Sequence, residues 1–152
     1  MSALLDLSGR VALVTGAGQG VGEAVAHMLA EQGAAVAVND FYADRSHRVA
    51  AAVVDGGGRG FPATADVSDP DAVAAMVAEV ERVLGPVDIL VNNAGNAGAE
   101  RSGLAPLPKF WHSAPEDWQP WIAVNYLGVM ITTRAVVGGM VDRGYGRVVT
   151  VI

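Results

Sequence analysis

Val11-Ala-Leu-Val-Thr15-Gly16-Ala-Gly18-Gln19-Gly20-Val21-Gly22-Glu23 joins an apolar run to a glycine-rich turn. Beyond the turn, Val21, Ala24, Val25, Met28 and Leu29 recur at helical spacing. A short apolar run, glycines and then a 3.6-residue period predict a buried strand feeding a helix. Glycines have physical work in such a turn. One allows positive φ, one lets the backbone approach an anion, and one lets helix and strand pack closely. The unpaired N–H groups and the positive end of the helix dipole then face the turn, a field that suits a pyrophosphate. The spacing is not G-x-G-x-x-G, because Val21 stands where that pattern needs glycine, and no lysine follows as a P-loop requires. It is Thr-Gly-x-x-x-Gly-x-Gly, with Thr15, Gly16, Gly20 and Gly22 as its fixed positions.

Downstream, Gly33 stands where a helix-ending glycine belongs, and Ala34 to Val38 reads as a second buried strand. Together they close a strand–helix–strand unit of about 30 residues. Asp40 follows that strand near the ~20-residue offset at which an acid holds an adenosine ribose. A carboxylate there accepts from ribose hydroxyls and repels a 2′-phosphate, so the reading favours NAD over NADP, with Arg45 and Arg48 a little beyond. Ala43 to Val54 forms the next helix, with Val49, Val53 and Val54 as its expected core stripe. Gly60 to Ala65 is a third strand, and Pro62 within it predicts a sheet edge. Ser68 or Asp69 then caps a helix whose buried face is Val73, Met76, Val77, Val80 and Leu84.

Composition narrows the function classes. Of 152 residues 51% are hydrophobic but only 6% aromatic, so small aliphatic side chains carry the apolarity. That suits a parallel sheet covered on both faces. A net charge of −6 argues against a nucleic-acid footprint. No uninterrupted apolar run approaches a membrane span, and the first ten residues do not resemble a secretory leader. With no cysteine there are neither disulfides nor thiolate metal sites, and His112 lacks partners at metal-ligand spacing, so no metal is expected. A soluble, cytoplasmic protein without nucleic-acid or membrane partners is the expectation.

Val87 to Val91 is a fourth strand, and it runs into Asn92-Asn93-Ala94-Gly95. Small residues at a strand's carboxyl end keep a crevice floor low enough for a dinucleotide to lie across it. Thr-Gly-x-x-x-Gly-x-Gly followed by Asn-Asn-Ala-Gly in a β-α-β alternation resembles the short-chain dehydrogenase/reductase family, over nearly the whole chain but only the cofactor-binding portion of the longer family member. The resemblance implies an α/β, doubly wound, Rossmann-like parallel sheet, here of five strands and truncated after the fifth. It implies an incomplete dinucleotide-binding domain over 1–152. Cofactor contacts are expected from Thr15, Gly16, Gln19, Gly20, Val21, Gly22, Asp40, Asn93, Ala94 and Gly95. Asp66 and Val67 are expected at the adenine.

Residues 96–116 lose all periodicity and form a long loop near the expected substrate crevice, where Phe110 and Trp111 could wall a bulky substrate. Trp118 to Val141 predicts one long helix, with Trp121, Val124, Leu127 or Gly128, and Ile131 as its buried stripe. Within it, Val124-Asn125-Tyr126-Leu127-Gly128 matches the family's Val-Asn-x-x-Gly element, which assigns Asn125 to a catalytic proton relay. Gly146 to Ile152 is the fifth strand. The family's Ser and Tyr-x-x-x-Lys do not occur here: Lys109 is the sole lysine, and Ala105 stands four residues before it. The whole enzyme would exchange hydride between NAD(H) and a small secondary alcohol or carbonyl, as a homo-oligomer. This chain alone is expected to bind dinucleotide weakly, to lack turnover, and to associate through its open fifth strand. The alternative is a non-enzymatic dinucleotide-binding or assembly module. A methyltransferase reading shares the glycine turn but leaves Asn92 to Gly95 and Asn125 without purpose.

Overall fold

A computed structural model describes residues 6–95 and 109–151. Five strands, β1 (Val11–Val14), β2 (Ala35–Asp40), β3 (Arg59–Thr64), β4 (Ile89–Asn92) and β5 (Arg147–Thr150), form one sheet in the order β3-β2-β1-β4-β5. Every pairing is parallel. The chain winds from β1 outward to β3, then crosses back to lay β4 on the other side of β1. A crevice must open at the carboxyl ends where the winding reverses, between β1 and β4. Pro62 sits on the β3 edge, where its missing N–H costs no ladder bond.

Alternation along the strands feeds two cores. Val11, Leu13, Ala35 and Ala37 face α3 (Pro70–Leu84) and α5 (Gly128–Asp142), meeting Val73, Met76, Val77, Val80, Val136 and Met140. Ala12, Val14, Val36 and Val38 face α1 (Gly20–Glu31) and α2 (Ala43–Asp55), meeting Ala26, Val49 and Ala50. The helix ends follow local chemistry. Asp69 caps α3 by accepting from Asp71 N at 2.9 Å and Ala72 N at 3.2 Å, with Pro70 in the first turn. After α1, Gly33 takes φ +94° and its N–H donates to Ala30 O, while Ala34 N donates to Leu29 O.

Three expectations need correction. Val54 is exposed, and Ser46 and Ala50 complete the buried face of α2 instead. In α1 the buried positions are Gly22 and Ala26, with Val25 and Leu29 half-buried; Val21 and Met28 are exposed. The span read as one helix from Trp118 is a 3₁₀ turn (Pro115–Trp118), α4 (Gln119–Ile122), a π turn (Ala123–Leu127) and then α5. A π turn carries an extra residue and so rotates the downstream face. The buried line of α5 is therefore Gly128, Thr132, Val136 and Met140, while Trp121 and Leu127 are exposed. The stretch Pro115–Asp142 is also long enough to cross a membrane, and an 18-residue window within it, at mean hydropathy 1.3, is apolar enough, by length and composition alone. Here the α5 portion packs on α3 and β4 instead.

Candidate functional site

The glycine turn is built by φ values that side chains disfavour: +62° at Gly16 and +60° at Gly20. A Cβ on Gly16 would come within 2.8 Å of Ala94 Cα, and one on Gly22 would overlap the Gly16 carbonyl oxygen. Glycine at these places lets β1, α1 and the end of β4 converge. Thr15, almost fully buried, ties them together. Its hydroxyl accepts from Asn93 N and Ala94 N, both at 3.0 Å, and lies 3.4 Å from Val91 O as donor. Asn93 Nδ2 returns the link, donating to Thr15 O at 3.0 Å and Gly16 O at 3.2 Å. Thr-Gly and Asn-Asn-Ala-Gly are thus two halves of one hydrogen-bonded floor.

Above that floor lies a cavity of about 450 Å³ at the carboxyl ends of the central strands. Gly16, Gln19, Gly20, Val21, Asp66, Val67, Asn93, Ala94 and Gly95, all expected at the site, line it. The N-terminus of α1 opens onto it at Gln19, which makes no side-chain capping bond, so the positive end of the helix dipole is directed at the cavity. Asp66 serves two purposes: it borders the cavity, and its Oδ1 accepts from Ser68 N at 2.8 Å and Ser68 Oγ at 2.7 Å.

The remaining expected residues stand behind the wall. Thr15 and Gly22 build the floor as described. Asp40 is buried, its Oδ2 accepting from Gly18 N at 3.1 Å and its Oδ1 from Tyr42 N at 2.9 Å. Its chain neighbours Asn39 and Phe41 border the cavity. Asn125 sits in the π turn, where its Nδ2 donates to Trp121 O at 3.0 Å. Its Oδ1 lies 2.6 Å from the point that a Cβ on Gly95 would occupy, so Gly95 leaves room for it.

Asn39, Phe41, Ala65, Ser68, Pro120, Ala123 and Val124 also line the cavity and were not foreseen. Asn39 and Ser68 were within reach, because each adjoins a residue already singled out at a strand end. Pro120, Ala123 and Val124 arrive only through the docking of α4 and the π turn. Of the loop expected at 96–116, residues 96–108 lie outside the described part. Phe110 and Trp111 are exposed and do not border the cavity; Phe110 stacks on Trp118 with ring centroids 5.4 Å apart.

The glycine floor, the helix terminus and the strand-end asparagines occupy the switch point of the sheet, and the sequence profile of the short chain dehydrogenases matches residues 10–152. The chain belongs to the short-chain dehydrogenase/reductase family. It is 40% identical over 146 residues to the 2,3-dihydro-2,3-dihydroxybenzoate dehydrogenase of Bacillus subtilis, a match covering 95% of this chain and 52% of the relative. It is 38% identical over 148 residues to the gluconate 5-dehydrogenase of Gluconobacter oxydans, covering 97% and 55%. A crystal structure of a Burkholderia cenocepacia gluconate 5-dehydrogenase in complex with NADP and tartrate superposes with a TM-score of 0.84 at 35% identity, covering 96% of this chain and 54% of that one. A hydroxysteroid dehydrogenase from Escherichia coli gives 0.85 at 32%, covering 96% and 58%. This short-chain dehydrogenase/reductase chain therefore spans about half the length of the relatives it matches, and corresponds to their amino-terminal portion.

Proposed function

We propose that this chain is the dinucleotide-holding part of an oxidoreductase that exchanges hydride between a nicotinamide cofactor and a small secondary alcohol or carbonyl compound. The observation that carries the reading is the cavity walled by Gly16, Gly20 and Asn93-Ala94-Gly95 at the mouth of α1. Gly20 lines the cavity with nothing within 4 Å of the point a Cβ would occupy, so bare main chain there is open to close approach by a ligand. The N–H groups around Gln19 to Val21 would hold a diphosphate. Asp66 and Val67 would border the adenine, and Asp40 the adenosine ribose. A bound nicotinamide supplies the hydride chemistry. Asn125, braced on the Trp121 carbonyl beside Gly95, would take its place in the proton relay by hydrogen-bonding and orienting a water there, its amide keeping its own protons.

Asp40 also supports a preference for NAD over NADP, because a buried carboxylate after β2 repels a 2′-phosphate. Of the arginines on α2, Arg48 is paired with Glu23, and Arg45 lies over the Tyr42 ring at 4.4 Å. Two solved relatives, the Burkholderia cenocepacia gluconate 5-dehydrogenase and a metagenomic short-chain oxidoreductase, are complexes with NADP, so both cofactors belong in the test. A full-length family member built on this part would act as a homo-oligomer, and the acidic, cysteine-free composition fits a cytoplasmic setting.

Calorimetric titration of this chain with NAD and NADP decides the matter. NAD should bind, NADP more weakly, and Asp40→Ala should shrink the gap by roughly tenfold, about 1.4 kcal/mol. Failure to bind either dinucleotide would sink the reading. A panel of secondary alcohols should give no turnover with this chain, since the relay beyond Asn125 needs a Ser, Tyr and Lys set that its residues do not supply.

A further inference from the structure

Gly18 is fixed from both sides by residues that do not line the cavity. Its N–H donates to Asp40 Oδ2 at 3.1 Å. Its carbonyl accepts from Arg48 Nη2 at 2.7 Å. Arg48 is in turn gripped by Glu23, with Nη1 donating to Oε1 at 2.8 Å and Nη2 to Oε2 at 3.1 Å. Glu23 lies in the first turn of α1 and Arg48 in the middle of α2. One guanidinium therefore links the glycine turn, the mouth of α1 and the second helix. The planar fork matters, because a single group must satisfy a bidentate carboxylate and a carbonyl at once. The residues that follow Gly18, from Gln19 to Val21, are the ones that border the cavity.

We propose that Arg48, oriented by Glu23, is a positioning residue for diphosphate binding: by holding the Gly18 carbonyl it keeps the next peptides turned toward the cavity. The inference rests on the dinucleotide reading above and deepens it. Glycine-rich backbone is conformationally loose, so without a clamp the turn spends only part of its time in the binding geometry. Apparent affinity falls by that fraction. Arg48 also offsets the charge of the Glu23 carboxylate in the first turn of α1, the helix whose N-terminus opens onto the cavity. The effect should be confined to the diphosphate, since the clamp's hydrogen bonds run to Glu23 and Gly18 and not to Asp66 or Val67, which border the expected adenine position.

The test compares ADP with adenosine as probes, on the whole chain and its Arg48→Met and Arg48→Lys variants, with amide exchange of Gly18 to Gly20 followed in the free proteins. Both variants should weaken ADP roughly fivefold to tenfold, leave adenosine within about twofold, and speed exchange at Gly18 to Gly20 with little change in Tm. Unchanged ADP affinity would overturn the proposal. So would a parallel loss of ADP, adenosine and Tm, which marks a merely structural bridge, and so would full recovery in Arg48→Lys, which marks charge alone. If the wild-type chain binds no ADP, the dinucleotide reading fails. The clamp is then judged by exchange alone: faster exchange in Arg48→Met supports it, and unchanged exchange refutes it.

Discussion

The hydroxyl of Thr15 serves two backbone amides, those of Asn93 and Ala94, from a position almost sealed from solvent. Removing it strands two donors at the end of β4, and an unsatisfied buried group costs about 1–3 kcal/mol. Thr15→Val, which keeps the shape, should lower the unfolding free energy by that amount and the urea midpoint with it, while Thr15→Ser should recover most of it. Equal midpoints for wild type and Thr15→Val would contradict this account of the floor. A second effect at this scale is electrostatic. The hydrogen bonds from Arg48 hold the Glu23 carboxyl below the ordinary glutamate range, and the guanidinium's own charge adds to this. A carboxyl whose folded pKa is depressed stabilises the fold above its unfolded pKa, and loses that contribution as pH falls through the folded value. The stability gap between wild type and Arg48→Met, small because the pair is partly exposed, should therefore be confined to neutral pH and close between about pH 5 and pH 3. The pair is partly exposed, so salt should shrink it as well. A gap that persists at acid pH would mean the arginine contributes through packing rather than charge.

At the scale of elements, the π turn at Ala123–Leu127 decides which residues of the last helical span reach the cavity. It brings Ala123 and Val124 to the wall and sends Gly128 and Thr132 into the core, where Gly128 meets Val67 closely. The Asn125 amide bonded to Trp121 O is one of the braces that hold the altered register. Asn125→Ala should cost about 1 kcal/mol of unfolding free energy and broaden the amide signals from Ile122 to Gly128 in NMR spectra; unaltered spectra would remove Asn125 from that role. The same turn marks where a period-based reading stops working. The β1–α1 junction was legible because its strand, glycines and helix are neighbours in sequence, and local spacing carries the geometry. The core stripe of α3 was legible because that helix is regular from Asp69 to Gly85. The stripe of the last helical span was legible only in part: Gly128 and Ile131 were expected inside and are, while Trp121 is exposed, because the added residue of the π turn shifts the phase between them. Nor could any local pattern show that Pro120, Ala123 and Val124 would border the cavity, since that depends on how α4 and the π turn dock.

On the scale of the whole molecule, the two edges of the sheet are managed differently. β3 carries Pro62 and begins at Arg59, both of which discourage further pairing. β5 is Arg147-Val-Val-Thr150, with no proline, and Val148, Val149 and the following Val151 are 42%, 51% and 48% exposed. Its outer side offers a row of backbone donors and acceptors to any extended segment. On α5, Met130, Val137 and Val141 are exposed too. An open apolar edge and an apolar helix surface on one side of the sheet exceed what scattered exposed side chains explain. The 152-residue polypeptide should therefore self-associate as its concentration rises, visible as a growing mass in light scattering coupled to size exclusion. Val149→Lys places a charge on the open strand, where sheet proteins use lysine to resist edge pairing, and should return the chain toward monomer without altering dinucleotide affinity, since β5 contributes nothing to the cavity wall. If Val149→Lys associates as strongly as wild type while a charged substitution at Val141 does not, the helix surface drives association and the strand edge does not. If wild type stays monomeric at high concentration, neither surface suffices, and the exposed valines cost the isolated chain less than their area suggests.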